Sequence, residues 1–343
     1  MNAAALRSNL ASDARELGFS WFGVAPASEA PHAGAFREWI GEGRHADMEW
    51  LARDPQRRAD PGRVLENARS VLVLGMEYFQ GNAPQTGWRI ARYAWGEDYH
   101  DLIKERLLRL AEKLASHGGQ QKVYVDTGPV LERDFAARAG IGWQGRSSML
   151  IHPRAGCWFF LGVILTTLEF EANEPVPDHC GKCRRCVEAC PTSAIREDRT
   201  LESARCISYL TIENKGTIPE EFRKEIGDRI YGCDECLDVC PWNRFAAVSR
   251  EAAFAMPERV RNMRLRDFLA WDAETFRTVF RRSPIKRIKR ERFLRNVCVA
   301  LGNTGTEADL EALRVAAGDS SPLIAEHALW AISEIEQRAE PLA

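Results

Sequence analysis

The chain has 343 residues, 45% hydrophobic and 28% charged, with a net charge of −2. That is length enough for two or three domains and a substantial core, in the composition of an ordinary globular protein. Its longest apolar run, "CWFFLGVILTTL" from Cys157, is 12 residues, which excludes a helical bilayer span.

In chain order, "MNAAALRSNLASDARELGFSWFG" predicts a helix with Leu6, Leu10, Ala14 and Leu17 on one stripe. Asp13, Arg15 and Glu16 interrupt any signal-peptide core and no twin arginine occurs early, so a cytoplasmic protein is expected. Strand-like runs follow at 70–78, 122–128 and 158–168. Between the first two, Ile103, Leu107, Leu110 and Leu114 share a helical face that stops at Gly118 and Gly119. This first stretch, residues 1–170, reads as an α/β domain. No Gly-rich phosphate loop is present: "GIGWQGRSS" (140–148) fits neither dinucleotide nor Walker pattern. "DYHDLI" from Asp98 approaches the D-x-H-x-x-G pattern of a cobalt-ligating histidine, but Ile103 fills the glycine position, so His100 is not expected to ligate cobalt.

After a Pro-rich linker (173–179) comes the cysteine region, 171–249. It holds eight of the ten cysteines, and reduced clustered thiols favour metal. "CGKCRRCVEACP" carries the spacing of a ferredoxin run. "YGCDECLDVCP" repeats it with Ile230 where a further cysteine would stand, leaving Cys206 to complete the set. In two-cluster ferredoxins the last cysteine of each run crosses to the other cluster. One 4Fe–4S cluster is then expected on Cys180, Cys183, Cys186 and Cys240, and the other on Cys190, Cys206, Cys233 and Cys236. Two four-cysteine zinc sites would use as many thiolates, but the Cys-Pro endings typify clusters. Cys157 and Cys298 sit in apolar stretches and read as small core residues.

From residue 250 the pattern is helical. "RNVCVALGN" (from Arg295) and "EHALWAISE" (from Glu326) align at an offset of 31, as two HEAT-like helical pairs would. Between Arg250 and Arg295 there are 14 basic and 6 acidic residues, net +8, leaving −10 elsewhere. Arg281, Arg282, Lys286, Arg287, Lys289, Arg290 and Arg292 crowd one stretch, which points to a polyanionic partner.

The motifs "RYAWGEDYH", "DTGPVLERDFAARAGIGWQGRSSMLI", "CISYLTIENKG", "FLRNVCVALGN" and both cysteine runs together resemble epoxyqueuosine reductase over nearly the whole chain. The resemblance implies a cobalamin-dependent oxidoreductase with two 4Fe–4S clusters. Such an enzyme reduces epoxyqueuosine at the wobble position of tRNA to queuosine, taking electrons from a donor the sequence does not identify. The fold implied is α+β and multidomain: a cobalamin-binding catalytic domain (1–170), a ferredoxin-like domain (171–249) and a helical HEAT-like tRNA-binding domain (250–343), as a monomer. It points to Asp134 as proton donor, in a helix opened by Pro129, with Glu132 as second choice. An aspartate at its ordinary pKa of about 3.9 is a poor acid at neutral pH, so burial against the corrin would have to raise it. Expected corrin contacts are Arg57, Asp134, Trp143, Gln144, Ser148, Trp158, Ser208 and Tyr231. Lys215 joins the basic residues above as an expected tRNA contact. The competing functions are a corrinoid reductive dehalogenase, which leaves the basic tail without a role, and a non-catalytic electron carrier or corrinoid activator.

Overall fold

The computed structural model describes residues 2–339. The N-terminal helix α1 (Ala3–Glu16) buries Leu6, Leu10 and Ala14, and Asn2 caps it by accepting from the Ala5 amide. Four strands form the main sheet: β1 (Trp21–Pro26), β2 (Ser70–Glu77), β4 (Gln121–Tyr124) and β7 (Phe159–Thr166). Between β2 and β4 lie the short β3 (Arg89–Ile90) and the long helix α2 (Tyr99–Ala115). Between β4 and β7 lie α3 (Glu132–Arg138) and a small hairpin, β5 (Trp143–Gln144) with β6 (Leu150–Ile151).

The sheet order is β1-β2-β7-β4, and every pairing is antiparallel. The N-terminal region is thus α+β and not a parallel α/β unit. β2 and β7 are buried along nearly their whole length, so their sequences read as continuous apolar runs. Burial on both faces writes that pattern whatever the pairing direction. Alternation divides the strands between two layers. Leu72, Leu74, Met76 and Ile164 pack with α1 and α2, whereas Val71, Val73, Val163 and Leu165 pack with Phe135 and Ala136 of α3. Gly162 lets α2 close on the sheet, since a Cβ there would meet Leu107 Cδ1 at 2.8 Å.

The cysteine region contains α4 (Arg185–Glu188), β8 (Arg229–Tyr231) and α5 (Glu235–Asp238). The C-terminal region is helical, ending in α6 (Lys289–Thr304), α7 (Leu310–Ala317) and α8 (Pro322–Ala339). α6 and α8, which carry the offset-31 repeat, pack along each other, with Gly302 so close to Trp330 that no side chain would fit between. Equivalent positions of the repeat, Arg295–Asn296 and Glu326–His327, hold the same segment: Arg295 donates to the carbonyls of Leu210 and Asn214, and His327 Nε2 accepts from the Ile218 amide.

Segments far apart in sequence share cores here. β3 pairs in parallel with β8, and Trp88, Ile90 and Trp95 lie in one hydrophobic cluster with Tyr231, Phe268 and Phe293. The boundaries expected at 170 and 249 are therefore crossed by common packing. No described helix is long and apolar enough to cross a membrane.

Candidate active site and electron-transfer centres

Each cysteine run folds as a turn, a one-turn helix and a second turn ending in Cys-Pro. α4 and α5 occupy matching positions, preceded by Arg184 (φ −126°, ψ 8°) and Asp234 (φ −112°, ψ 4°), and they touch. The tight turns free N–H groups to point at sulfur. The Ala194 amide reaches Cys190 Sγ at 3.3 Å and the Trp143 indole N–H reaches Cys180 Sγ at 3.4 Å. Amides of Tyr209 and Ser208 point at Cys206, and those of Trp242 and Asn243 at Cys240.

All ten cysteines are free thiols, and their electrostatic neighbours fall into two sets. Cys236 feels Cys206, Cys233 and Cys190, whereas Cys186 feels Cys180 and Cys240. Burial pushes Cys233 up to about 12 and holds Cys236 well above an ordinary thiol. Thiolates gathered this way need a compensating positive charge, and the N–H groups aimed at them are those that stabilise cluster sulfurs. The donor set fits two iron–sulfur clusters. Cys157 does more than fill the core: its thiol hydrogen-bonds with Cys240 and brings Cys240 down to about 7.

A second centre lies at the edge of the sheet. Asp98 caps α2 by accepting from the His100 amide at 3.1 Å, and its Oδ1 also holds His100 Nδ1 at 2.7 Å. On the far side, His100 Nε2 lies 3.5 Å from Asp126 Oδ2, to which the Tyr99 hydroxyl donates at 2.9 Å. Burial alone would lower the imidazole pKa, yet the two carboxylates bring it up to about 9, so His100 is a cation at neutral pH. The D-x-H spacing therefore makes a cap and a clamp. Asp126 sits in the left-handed region (φ 57°), which turns its amide onto Glu132 Oε1 at 2.8 Å. Burial, and then the Asp126 carboxylate, push Glu132 up to about 8. The Asp126 side chain is still 61% exposed. Glu132 beside it is half-buried, so the two carboxyls form a cluster at a solvent-facing edge.

Asp134, two residues on, is 4% exposed, and both its oxygens are occupied. Oδ2 accepts from the His32 amide at 3.0 Å and Oδ1 meets His32 Nδ1 at 2.7 Å, a bond that raises the pKa of His32. α3 begins at Glu132, after Leu131, and not at Pro129. That start puts Glu132 toward Asp126 and Asp134 toward His32.

Two family profiles match the chain: epoxyqueuosine reductase QueG over residues 58–127, and the 4Fe–4S double cluster binding domain over 179–243. An epoxyqueuosine reductase from Aliivibrio fischeri is 39% identical over 345 aligned residues, which cover 97% of this chain and 92% of that one. The Escherichia coli epoxyqueuosine reductase is 40% identical, with coverage of 94% and 88%. The chain belongs to the epoxyqueuosine reductase family. Among solved structures, epoxyqueuosine reductase with an epoxyqueuosine-modified tRNA-Tyr stem loop superposes with a TM-score of 0.92 at 30% identity, covering 97% of this chain and 91% of that one. The Bacillus subtilis epoxyqueuosine reductase does so with a TM-score of 0.88 at 29% identity, covering 97% and 91%.

The residues expected at the corrin of this epoxyqueuosine reductase relative are dispersed. Trp143 is buried, with its N–H on Cys180 and its ring edge-on to Trp242. Trp158 is covered by Phe79 and the Arg92 guanidinium, 4.7 Å from its ring. Tyr231 is fully buried and donates to the Pro284 carbonyl at 3.2 Å, so its ring has no surface to offer a cofactor. Ser148 Oγ donates to the Arg199 carbonyl, the Ser208 amide serves Cys206, and Arg57 is exposed. Gln144 fits the expectation best: among the described residues its Oε1 is one of three buried side-chain atoms without a partner, together with His45 Nδ1 and Arg146 Nε.

The basic stretch divides as well. Arg290 donates to the Trp271 carbonyl and pairs with Asp319 at 2.7 Å, and Arg292 donates to the carbonyls of Ile288, Ile212 and Arg287. These two tie the bundle together and are not free for phosphate. Arg281, Lys286, Lys289 and Lys215 are exposed, Arg282 pairs with Glu97, and Arg287 pairs with Glu213 at 2.5 Å. Lys286 acts on Asp98, and Arg287 on Tyr231, Tyr93 and Asp126, so the stretch reaches the carboxylates around His100.

Proposed function

We propose that this chain reduces the epoxide of epoxyqueuosine in tRNA to the alkene of queuosine, with two 4Fe–4S clusters and cobalamin as cofactors. The observation that carries the reading is the conjunction, in one chain of this family, of eight cluster-type cysteines with a paired-carboxyl cluster, Asp126 and Glu132, beside a basic surface. Net conversion takes two electrons and two protons and releases the epoxide oxygen as water. Bound cobalamin supplies the cobalt reductant, which side chains lack. The unpartnered Gln144 Oε1 and Arg146 Nε suit a cofactor edged with amides.

Glu132 is the best-supported proton donor. At about 8, its carboxyl is loaded at neutral pH and close enough to it to release a proton readily. Asp126 and cationic His100 fix its surroundings. Asp134, with Oδ2 on the His32 amide and Oδ1 on His32 Nδ1, anchors His32. The cluster on Cys190, Cys206, Cys233 and Cys236 has an aromatic route toward Asp126, because Tyr231, two residues before Cys233, leads through Tyr93 to Tyr99 with ring centroids 6.1 Å apart at each step; it is taken as the inner cluster. Arg281, Lys286, Lys289 and Lys215, with the outer faces of Arg282 and Arg287, are the cations available to anticodon-stem phosphates. The target base must leave its stack to meet the acid.

The test is single turnover of an epoxyqueuosine-modified stem loop, with nucleosides read by mass spectrometry. Glu132→Gln is expected to lose at least about 100-fold in rate. Asp134→Asn should lose far less while cluster content is unchanged. Because the acid must carry its proton, the wild-type rate holds below pH about 8 and falls above it, and that limb vanishes in Glu132→Gln. A larger loss in Asp134→Asn would return the role to Asp134.

A further inference from the structure

Electrons must enter at the surface, and one face is built for it. An open groove of about 790 Å³ runs past Cys240, a ligand of the outer cluster, with Phe79, Val239 and Pro241 among polar neighbours in its lining. That lining includes Arg185 and Arg244. Lys182 stands in the turn between two ligands of the same cluster. All three are exposed and, among the described residues, have no carboxylate partner. Arg244 lies over the ring of Phe245, 4.5 Å from its centroid, and Phe245 is 44% exposed. Of the two carboxylates in the lining, Asp238 pairs with Arg92 at 2.7 Å, whereas Glu188 is exposed and lies 3.9 Å from Arg184, which Glu197 holds at 2.5 Å.

Free cations beside a groove at a cluster ligand, with the exposed Phe245 ring next to them, favour a carrier that presents carboxylates around an exposed redox centre. The anionic rim steers the encounter and the apolar contact holds it. We infer that a small acidic one-electron carrier protein docks on the Lys182–Arg185–Arg244 face and delivers electrons to the cluster held by Cys180, Cys183, Cys186 and Cys240. This rests on the two-cluster reading of the site. Each docking oxidises the carrier by one electron and reduces this cluster by one, which passes the electron to the inner cluster. Two dockings supply the pair that one epoxide consumes, and the two protons come from the acid and solvent.

The experiment uses the holoprotein, with reduced flavodoxin, an acidic flavoprotein, as the probe. Cluster bleaching is followed by stopped flow over a range of salt concentrations. In Arg185→Glu/Arg244→Glu the bimolecular rate at low salt should fall at least about tenfold and lose its salt dependence, and Arg185→Lys/Arg244→Lys should retain both. Turnover driven by dithionite should be unchanged in the charge-reversed protein, which separates failure of docking from failure of the cluster chemistry. If the charge-reversed protein does not load its clusters, Lys182→Glu carries the same comparison with a threefold or larger fall expected. An unchanged flavodoxin rate would overturn the proposal. So would a parallel loss of stem-loop affinity, which would make this an RNA surface.

Discussion

The two cysteine runs are the same motif with opposite charge. Aligned on Cys183, Cys186 and Cys190 against Cys233, Cys236 and Cys240, Arg184 stands where Asp234 stands and Arg185 where Glu235 does. The backbone is nearly identical, but the surroundings are not. Asp234 is nearly buried, accepts from the Arg92 amide at 2.7 Å and faces the Arg92 guanidinium. Glu235 binds Arg89 at 2.6 Å and also Arg229. These acids fasten the second run to β3 and β8. The arginines of the first run face solvent, Arg184 paired only with exposed residues and Arg185 with none. Duplication supplied the cluster geometry, and the residues between ligands assigned one run to the interior and the other to the surface.

Breaking the interior run should cost most. Asp234→Ala removes the acceptor of the Arg92 amide and one of the two carboxylates facing the Arg92 guanidinium, which is only 10% exposed and keeps Asp238 at 2.7 Å. A loss of about 1–3 kcal/mol is expected in denaturant unfolding of the holoprotein. The aligned change, Arg184→Ala, should leave the unfolding midpoint in place. Equal effects would break the comparison. A smaller effect concerns the outer cluster alone. Trp143 donates its N–H to Cys180, and hydrogen bonds to cluster sulfur favour the reduced state. Trp143→Phe should lower the midpoint potential of that cluster by about 59 mV, a tenfold shift in its redox equilibrium, without moving the other. Redox titration followed by electron paramagnetic resonance reads both clusters at once, and an unshifted outer cluster would remove Trp143 from this role.

The sequence displays the clusters openly because ligand spacing is local: three cysteines within seven residues fix a turn and its metal. α1, α2, β2 and β7 are legible for the same reason, since their apolar periods lie within one element. The acid is not. Glu132 and Asp134 are two residues apart in one helix, and only tertiary neighbours, Asp126 for one and His32 for the other, separate them, which is the basis of the role proposed for Glu132. Trp143, Trp158 and Tyr231 are aromatic residues close to the cluster ligands, a pattern shared by cofactor walls and packed cores. All three are buried, Trp143 on Cys180, Trp158 under Arg92 and Tyr231 on the Pro284 carbonyl. The antiparallel sheet and the β3–β8 pair depend on contacts between distant segments that no short motif records. Arg290 and Arg292 look like their neighbours in sequence and differ only in the carbonyls and carboxylate they meet.

The most direct test of the whole account is anaerobic reconstitution with iron, sulfide and cobalamin. The loaded protein is then incubated with dithionite and an epoxyqueuosine-modified stem loop, and the nucleosides are analysed by mass spectrometry. The account predicts that the modified nucleoside loses the mass of one oxygen atom and becomes queuosine, and that omitting cobalamin or iron abolishes this. Epoxyqueuosine recovered unchanged from a protein with both clusters and cobalamin bound would contradict it.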